Sequence, residues 1–133
     1  MVDIESQVFT KIATALRTEF SDIFVTGEYM NAPAKFPFVS IVEADNYLDS
    51  RYLDGRETEH YARLMYEVNV YSNREGTKKS ECRKILNFID RMMYGMNFTR
   101  ISMNPVPNME DAKIYRLNAR YEAVSDGETT YRK

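Results

Sequence analysis

The chain has 133 residues, of which 44% are hydrophobic and 29% are charged, and its formal net charge is −2. These values are typical of one globular domain with its own core, and they exclude a disordered chain or a protein that attracts nucleic acid through its overall charge. The single cysteine excludes an intramolecular disulfide and a cysteine-based metal cluster. No run of about 18 apolar residues occurs, so we expect no membrane partner.

The first predicted element is an amphipathic helix from Asp3 to Phe20. Its apolar residues recur at helical spacing, at Ile4, Val8, Ile12, Ala15 and Leu16. Asp3 is the expected N-cap of this helix. A short strand from Ile23 to Tyr29 and a proline-marked connection then lead to a second strand, from Phe38 to Asp45. The beginning of the chain therefore predicts a helix followed by two strands.

The third predicted strand has the strictest alternation in the chain. Its apolar positions are Ala62, Leu64, Tyr66, Val68 and Val70, and the residues between them are mostly polar. A second amphipathic helix follows, with Thr77 as the expected N-cap and an end near Gly95. Two further strands are predicted, from Phe98 to Met103 and from Tyr115 to Ala123.

This order of helix, three strands, helix and two strands predicts a single α+β domain over residues 1–124. The two amphipathic helices are expected on one face of a mainly antiparallel sheet, and residues 125–133 form a polar tail that is mobile unless a partner orders it. The other face of the sheet is predicted to carry mixed charges: Glu43, Arg63, Glu67, Arg116, Arg120 and Glu122. Two interpretations stay open for that face, a solvated surface or one that lines a lumen or a subunit contact.

Residues able to perform catalysis do not converge in this sequence. His60 is the only histidine and lies in a charged run before a strand, while Cys82 lies on the buried stripe of the second helix. The spacing of Asp45, Asp49 and Asp54 does not fit a calcium loop. Nucleotide-binding, zinc-protease and nucleophile-elbow motifs are absent from the sequence. We therefore predict no enzyme, no cofactor and no metal site, with a hydrolase lacking any motif as an alternative.

The start of the second helix is unusually basic. Its cations are Arg74, Lys78, Lys79, Arg83 and Lys84. Positive charge at a helix N-terminus opposes the helix dipole, so these residues serve either solubility or an acidic partner.

The segment "YLDSRYLDGR", from Tyr47 to Arg56, nearly repeats itself inside a connection of about 16 residues, Asp45 to His60. A hairpin needs far fewer residues, and long connections are functional or disordered. Disordered segments are poor in aromatic residues, whereas tyrosine and arginine are enriched at protein interfaces. We therefore predict a long arm between the second and third strands, with interface residues Tyr47, Leu48, Arg51, Tyr52, Leu53 and Arg56. The alternative is a loop that folds back on its own domain.

Three segments of the sequence carry a resemblance to a known family: "KFPFVSIVEADNY", "VNVYSNREGTKKSECRKILNFIDRMM" and "MNFTRISMNPVPNMEDAKIYRLNARYEAV". Together with the order of elements, they resemble the tail terminators and related tail-completion or head–tail joining proteins of tailed phages. The resemblance extends from about Val8 to Val124 and contains no catalytic signature. It transfers no role to an individual residue.

The resemblance implies a structural subunit that assembles as a homo-oligomer, commonly a hexameric ring, at the head-proximal end of the tail. Such a ring stops polymerisation of the tail tube and joins the neck, so its partners are the tube protein and the neck or head-completion proteins. DNA is only cargo passing through the lumen. The implied location is the virion tail or neck, after assembly in the cytoplasm of the bacterial host. The alternatives are a neck or head-completion adaptor, and a small non-viral binding domain for a ligand or nucleic acid.

Overall fold

The computed structural model of the chain describes residues 1–30, 32–48, 61–107 and 111–131. Helix α1 spans Glu5–Glu19 and helix α2 spans Lys78–Gly95. The strands are β1 (Phe24–Thr26), β2 (Phe38–Leu48), β3 (Ala62–Ser72), β4 (Thr99–Pro105), β5 (Tyr115–Ser125) and β6 (Thr130–Tyr131). This order confirms the predicted α+β fold and adds one short strand near the C-terminal end.

The strands form one mixed sheet in the order β1-β2-β3-β5-β4. The short edge strand β1 is parallel to β2, and all the other pairs are antiparallel. Both β2 and β3 have 11 residues, and β5 follows β3 from end to end. The centre of the sheet is therefore a long, continuous platform.

The polar tail after residue 124 is more ordered than the sequence predicts. Ser125 is the last residue of β5, and Thr130–Tyr131 returns to pair with it as β6. A tight turn makes the return possible, because Asp126 Oδ1 accepts hydrogen bonds from the backbone N–H groups of Glu128 (2.8 Å) and Thr129 (2.6 Å). The prediction of a mobile tail is corrected for these residues.

The two helices begin differently from the expectation. Ile4, not Asp3, occupies the N-cap position of α1, and no side chain among the described residues caps this helix. Val2 and Ile4 are buried, so apolar packing fixes the start of α1. Thr77 does occupy the N-cap position of α2, as predicted, although its hydroxyl makes no capping hydrogen bond to the described helix.

Helix α2 ends in a Schellman turn at the predicted place. Asn97 has a positive φ of 69°, a conformation that asparagine tolerates better than most residues. The N–H of Asn97 donates to Tyr94 O (3.0 Å) and that of Phe98 donates to Met93 O (2.9 Å). The turn places Phe98 in the core, where its ring meets Tyr66 edge to face at 5.2 Å.

Both helices pack on one face of the sheet. Helix α2 contacts β3, β4 and β5, and α1 contacts β2 and α2. Phe20 at the end of α1 meets Phe88 of α2 edge to face, with ring centroids 5.7 Å apart. The alternate residues Leu64, Tyr66 and Val68 of β3 are fully buried beneath the helices. The predicted apolar faces therefore form one core, and the opposite side of the sheet, called the open face below, carries the polar residues.

Candidate functional site

The predicted arm begins where β2 and β3 run side by side. Tyr47 lies opposite Arg63, and Leu48 lies opposite Ala62. Tyr47 and Leu48 are 47% and 48% exposed, although both side chains are largely apolar. At this level β3 is also paired with β5, so the described end of β2 belongs to the sheet and is not a separate ribbon.

Four of the predicted interface residues lie outside the described residues: Arg51, Tyr52, Leu53 and Arg56. The structure extends β2 from the predicted end at Asp45 to Leu48, which places the base of the arm on a rigid strand. The arm itself stays a prediction.

A β-bulge at Ala44 sets the direction of the side chains at this base. The pairing of β2 with β3 shifts between Glu43 and Asp45, so one extra residue interrupts the alternation. Tyr47 consequently lies on the open face, in register with Arg63, and Leu48 lies on the helix-covered face. The two exposed side chains therefore point to opposite sides of the sheet.

Glu43 does not belong to the charged face predicted from the sequence, and that placement is wrong. Glu43 lies opposite Tyr66 on the helix-covered face, because it shares the parity of Val39 and Ile41. Tyr66 Oη donates a hydrogen bond to Glu43 Oε1 at 3.1 Å. Asn46 Nδ2 donates to Glu43 Oε2 (3.4 Å).

The same corner of the molecule holds the N-terminal segment. Asn46 Nδ2 also donates to the carbonyl oxygen of Val2 at 2.9 Å, which fixes the chain just before α1 beside the end of β2. Burial raises the pKa of Glu43, the hydrogen bonds from Tyr66 and Asn46 oppose that rise, and the carboxylates of Glu5 and Asp3 add to it. Negative charge is therefore concentrated at this corner.

The other five predicted residues do lie on the open face: Arg63, Glu67, Arg116, Arg120 and Glu122. Glu67 and Arg120 are directly opposite each other on neighbouring strands. Arg63 Nη1 is 4.0 Å from Glu122 Oε2, and these side chains are only 13% and 11% exposed. Arg120 is exposed. The open face is thus a partly buried layer in which Arg120 is the accessible charge.

Amide side chains connect the charges in the middle of the open face. Asn69, which is 1% exposed, accepts hydrogen bonds at Oδ1 from Arg116 Nε (2.9 Å) and Asn118 Nδ2 (3.0 Å). Asn118 Nδ2 also donates to Glu67 Oε1 at 2.7 Å. The guanidinium of Arg116 lies 5.5 Å from the centre of the Tyr71 ring. Arg116 and Glu67 are therefore held in defined positions.

The connection between β1 and β2 covers one end of this face, which the sequence analysis missed. Tyr29 Oη donates to Glu67 Oε2 (3.3 Å), and Tyr71 Oη donates to the carbonyl oxygen of Met30 (3.0 Å). Tyr71 is only 2% exposed as a result. The available signal was Tyr71 itself, a large ring at a polar-side position of β3.

The acidic residues of α2 are directed toward the fold. Glu81 accepts a hydrogen bond from Ser72 Oγ (2.7 Å) and pairs with Arg74 (3.1 Å). Asp90 accepts a hydrogen bond from Tyr121 Oη at 2.9 Å. The exposed cations of α2 consequently dominate its outer side, where Lys79, Arg83 and Lys84 are all exposed.

Two kinds of reactive group can be located among the described residues: the thiol of Cys82 and potential metal ligands. Cys82 is buried, its Sγ lies 3.5 Å from Tyr115 O and 3.6 Å from Val70 O, and burial raises the pKa of the thiol to about 12. No group of three or more histidine, cysteine, aspartate or glutamate residues could hold a metal ion within residues 1–30, 32–48, 61–107 and 111–131. His60 lies outside them.

One open cleft separates the end of α1 from the start of α2. It has a volume of about 530 Å³ and is lined by apolar and charged residues, among them Phe20, Asp22, Pro37, Arg74 and Lys84. Its mixed lining would suit a small polar ligand better than an apolar one.

None of the helices in the described part of the chain is long and apolar enough to span a membrane. Comparison with known proteins finds no protein-family model and no curated protein that matches the chain.

Proposed function

We propose that the chain is a structural assembly protein of a tailed phage or prophage, and specifically a tail terminator. Its subunits form a ring, with six copies as the expected number, at the head-proximal end of the tail, where the ring stops tube polymerisation and joins the neck. The observation that carries the proposal is the exposure of Tyr47 and Leu48, at 47% and 48%, on the strand that leads into "YLDSRYLDGR". Apolar groups presented by a rigid strand are typical of a surface that a second polypeptide covers.

Ring formation requires each subunit to present two different surfaces that fit each other, because a heterologous contact closes into a ring when its rotation fits. The arm base supplies one such surface, since Tyr47 and Leu48 occupy opposite sides of β2. A neighbouring subunit that grips this strand would bury both side chains.

The open face supplies a second candidate surface, as the lining of the lumen or as a subunit contact. The charges of its five predicted residues nearly balance, with Arg63 beside Glu122 and Glu67 opposite Arg120, and Arg116 leaves an excess of one positive charge. Balanced charge attracts phosphate weakly, which suits a passage through which DNA moves without being retained.

The assembly claim is tested with the double variant Tyr47→Ser/Leu48→Ser. We expect the wild-type chain to sediment as a closed oligomer and the double variant to sediment as a folded monomer with an unchanged circular dichroism spectrum. The matched control is Tyr94→Ser/Ile101→Ser, which removes one tyrosine and one aliphatic side chain that are 63% and 48% exposed elsewhere. The control should assemble as the wild type does. A double variant that assembles normally contradicts the role of this strand.

The position of the protein in the virion, as tail terminator or neck adaptor, is tested by deleting its gene from a phage that encodes the chain. Without a tail terminator, tubes should grow to irregular and excessive lengths, whereas without a neck adaptor tails of normal length should fail to join heads. Electron microscopy of the two phenotypes separates these functions, and normal virions would contradict both.

A small binding domain is the second candidate, because the 530 Å³ cleft beside Arg74 and Lys84 has polar and cationic walls. A chain that stays monomeric, and is retained on immobilised DNA or a ligand in a salt-sensitive manner, would favour this candidate over an assembly protein.

A further inference from the structure

The outer side of α2 carries a cationic surface that the fold does not use. We call it the basic ridge and define it by Lys79, Arg83 and Lys84, which follow one another within two helical turns. All are exposed, and among the described residues no hydrogen bond or ion pair engages them. The helix carboxylates Glu81 and Asp90 are turned toward other elements.

The position of the basic ridge has a cost within the monomer. Lys79 lies in the first turn of α2, where the helix dipole disfavours positive charge. Charged residues in an unfavourable position, with no interaction inside the chain that offsets the cost, are expected at functional surfaces. An anionic surface outside the subunit would provide the missing compensation.

The same chain presents such a surface at the start of α1. We call it the acidic patch and define it by Asp3 and Glu5, which lie near the carboxylate of Glu43, where the hydrogen bond from Asn46 to Val2 joins the chain before α1 to β2. Asp3 is exposed, and Glu5 and Glu43 are half-buried. The patch therefore has the opposite sign to the ridge.

The two surfaces cannot meet within one subunit. The acidic patch lies beside Glu43 and Tyr66 in the middle of β3, while the basic ridge follows the end of β3 at Ser72. The six residues of strand from Tyr66 to Ser72 span about 20 Å, roughly twice the distance over which salt leaves exposed charges interacting. Their neutralisation requires two copies placed head to tail.

We propose that the basic ridge of one copy docks on the acidic patch of the next copy and so forms the contact between ring neighbours. This inference rests on the proposed function, which requires heterologous contacts, and it names the surfaces that make them. A second copy fits the ridge better than duplex DNA does. The net charge of the chain is −2, so the chain as a whole repels phosphate.

The test is a charge swap measured by sedimentation velocity and native mass spectrometry. Variant one is Lys79→Glu/Arg83→Glu, variant two is Asp3→Lys/Glu5→Lys, and variant three combines all four substitutions. The first two place like charges against each other, so each should raise the concentration needed for half-assembly by about 100-fold. Variant three restores opposite charges and should recover most of the wild-type assembly. The control Lys11→Glu/Arg17→Glu, on exposed positions of α1, changes the net charge as variant one does and should assemble normally.

Each other outcome overturns a defined part of the proposal. Wild-type-like assembly of variants one and two overturns the docking of these surfaces and leaves the ring intact. Failure of variant three, while circular dichroism shows it folded, overturns their direct contact. A wild-type chain that is monomeric at every concentration and salt overturns the proposed function, and with it this contact. Salt-sensitive binding of duplex DNA by the monomer, lost in variant one, assigns the ridge to nucleic acid instead.

Discussion

The two faces of the sheet are buried by different means. On the helix-covered face, Leu64 and Val68 of β3 are shielded from water by apolar side chains. On the open face, Asn69 of the same strand is just as inaccessible, but it is surrounded by the guanidinium of Arg116 and the amide of Asn118. Adjacent residues of β3 are therefore buried in two ways: Val68 by apolar packing and Asn69 by polar contacts.

The difference teaches which face fixes stability and which fixes geometry. Apolar packing has no preferred direction and contributes about 25 cal/mol for each Å² removed from water. A hydrogen bond contributes only about 1 kcal/mol net, but it is directional and costly to leave half-made. The helix-covered face is thus expected to dominate folding, and the open face is expected to hold charged groups in a fixed pattern.

The largest effect should come from a cavity under the helices. Leu117→Ala removes a fully buried side chain of β5, and we expect the free energy of unfolding to fall by about 2–5 kcal/mol because the cavity closes only in part. Urea denaturation of the monomer measures this. Ile101→Ala, at a position that is 48% exposed on the neighbouring strand, is the control and should change stability by less than about 1 kcal/mol. Equal losses in the two variants would contradict the picture of a helix-covered core.

An intermediate effect is expected from the open face. Asn69→Ala removes the acceptor shared by Arg116 and Asn118, and the free energy of unfolding should fall by about 1–3 kcal/mol because two donors lose a partner in a site closed to water. Asn104→Ala is the matched control, since Asn104 lies opposite Asn118 but is exposed. If both substitutions are neutral in urea denaturation, the polar network does not contribute to stability.

The smallest effect should come from the hydrogen bond between Tyr66 and Glu43 on the helix-covered face, and it should depend on pH. Burial holds the pKa of Glu43 above its usual value, so the contribution of this group to stability is fully present at low pH and is lost as pH rises through the folded-state pKa. Tyr66→Phe removes a hydrogen bond that lowers this pKa, and the folded-state pKa should rise further.

The variant should therefore lose about 1 kcal/mol relative to wild type at pH 7 and less at pH 4, where Glu43 is mostly protonated in both chains. Denaturation curves at the two pH values measure the difference. Tyr115→Phe is the control, because the Tyr115 side chain is half-buried and its hydroxyl has no hydrogen-bond partner among the described residues. A loss of stability that is larger at pH 4 than at pH 7 would contradict the expected direction of the pH dependence.

The sequence predicts the helices and strands of this fold well because their apolar residues recur at regular spacing. Alternation in β3 and β5, and the 3.6-residue stripe of α2, each place one apolar side in the core. The end of α2 is predicted within a residue, because Gly95 is typical of a helix terminus.

Other features depend on contacts that are distant in sequence. The cover that Tyr29 and Met30 provide for the open face arises from residues about 40 positions before their partners, and no local pattern encodes it. β6 has only two residues, and the turn at Asp126 stabilises it more than strand propensity does. For the candidate site, the sequence predicts Tyr47 and Leu48 as interface residues but cannot show which way they point. It also misplaces Glu43, whose parity with Ile41 was a usable signal.

The extra residue in β2 bends the strand at the base of the arm. Ala44 is exposed and unpaired in the ladder, so its removal would let the strand close into regular pairing with little loss of packing. The pairing beyond it would stay the same, so Tyr47 would remain opposite Arg63 on the open face and Leu48 opposite Ala62 on the helix-covered face. The loss of one alanine would thus straighten the strand that leads into the arm without turning either exposed side chain to the other side of the sheet.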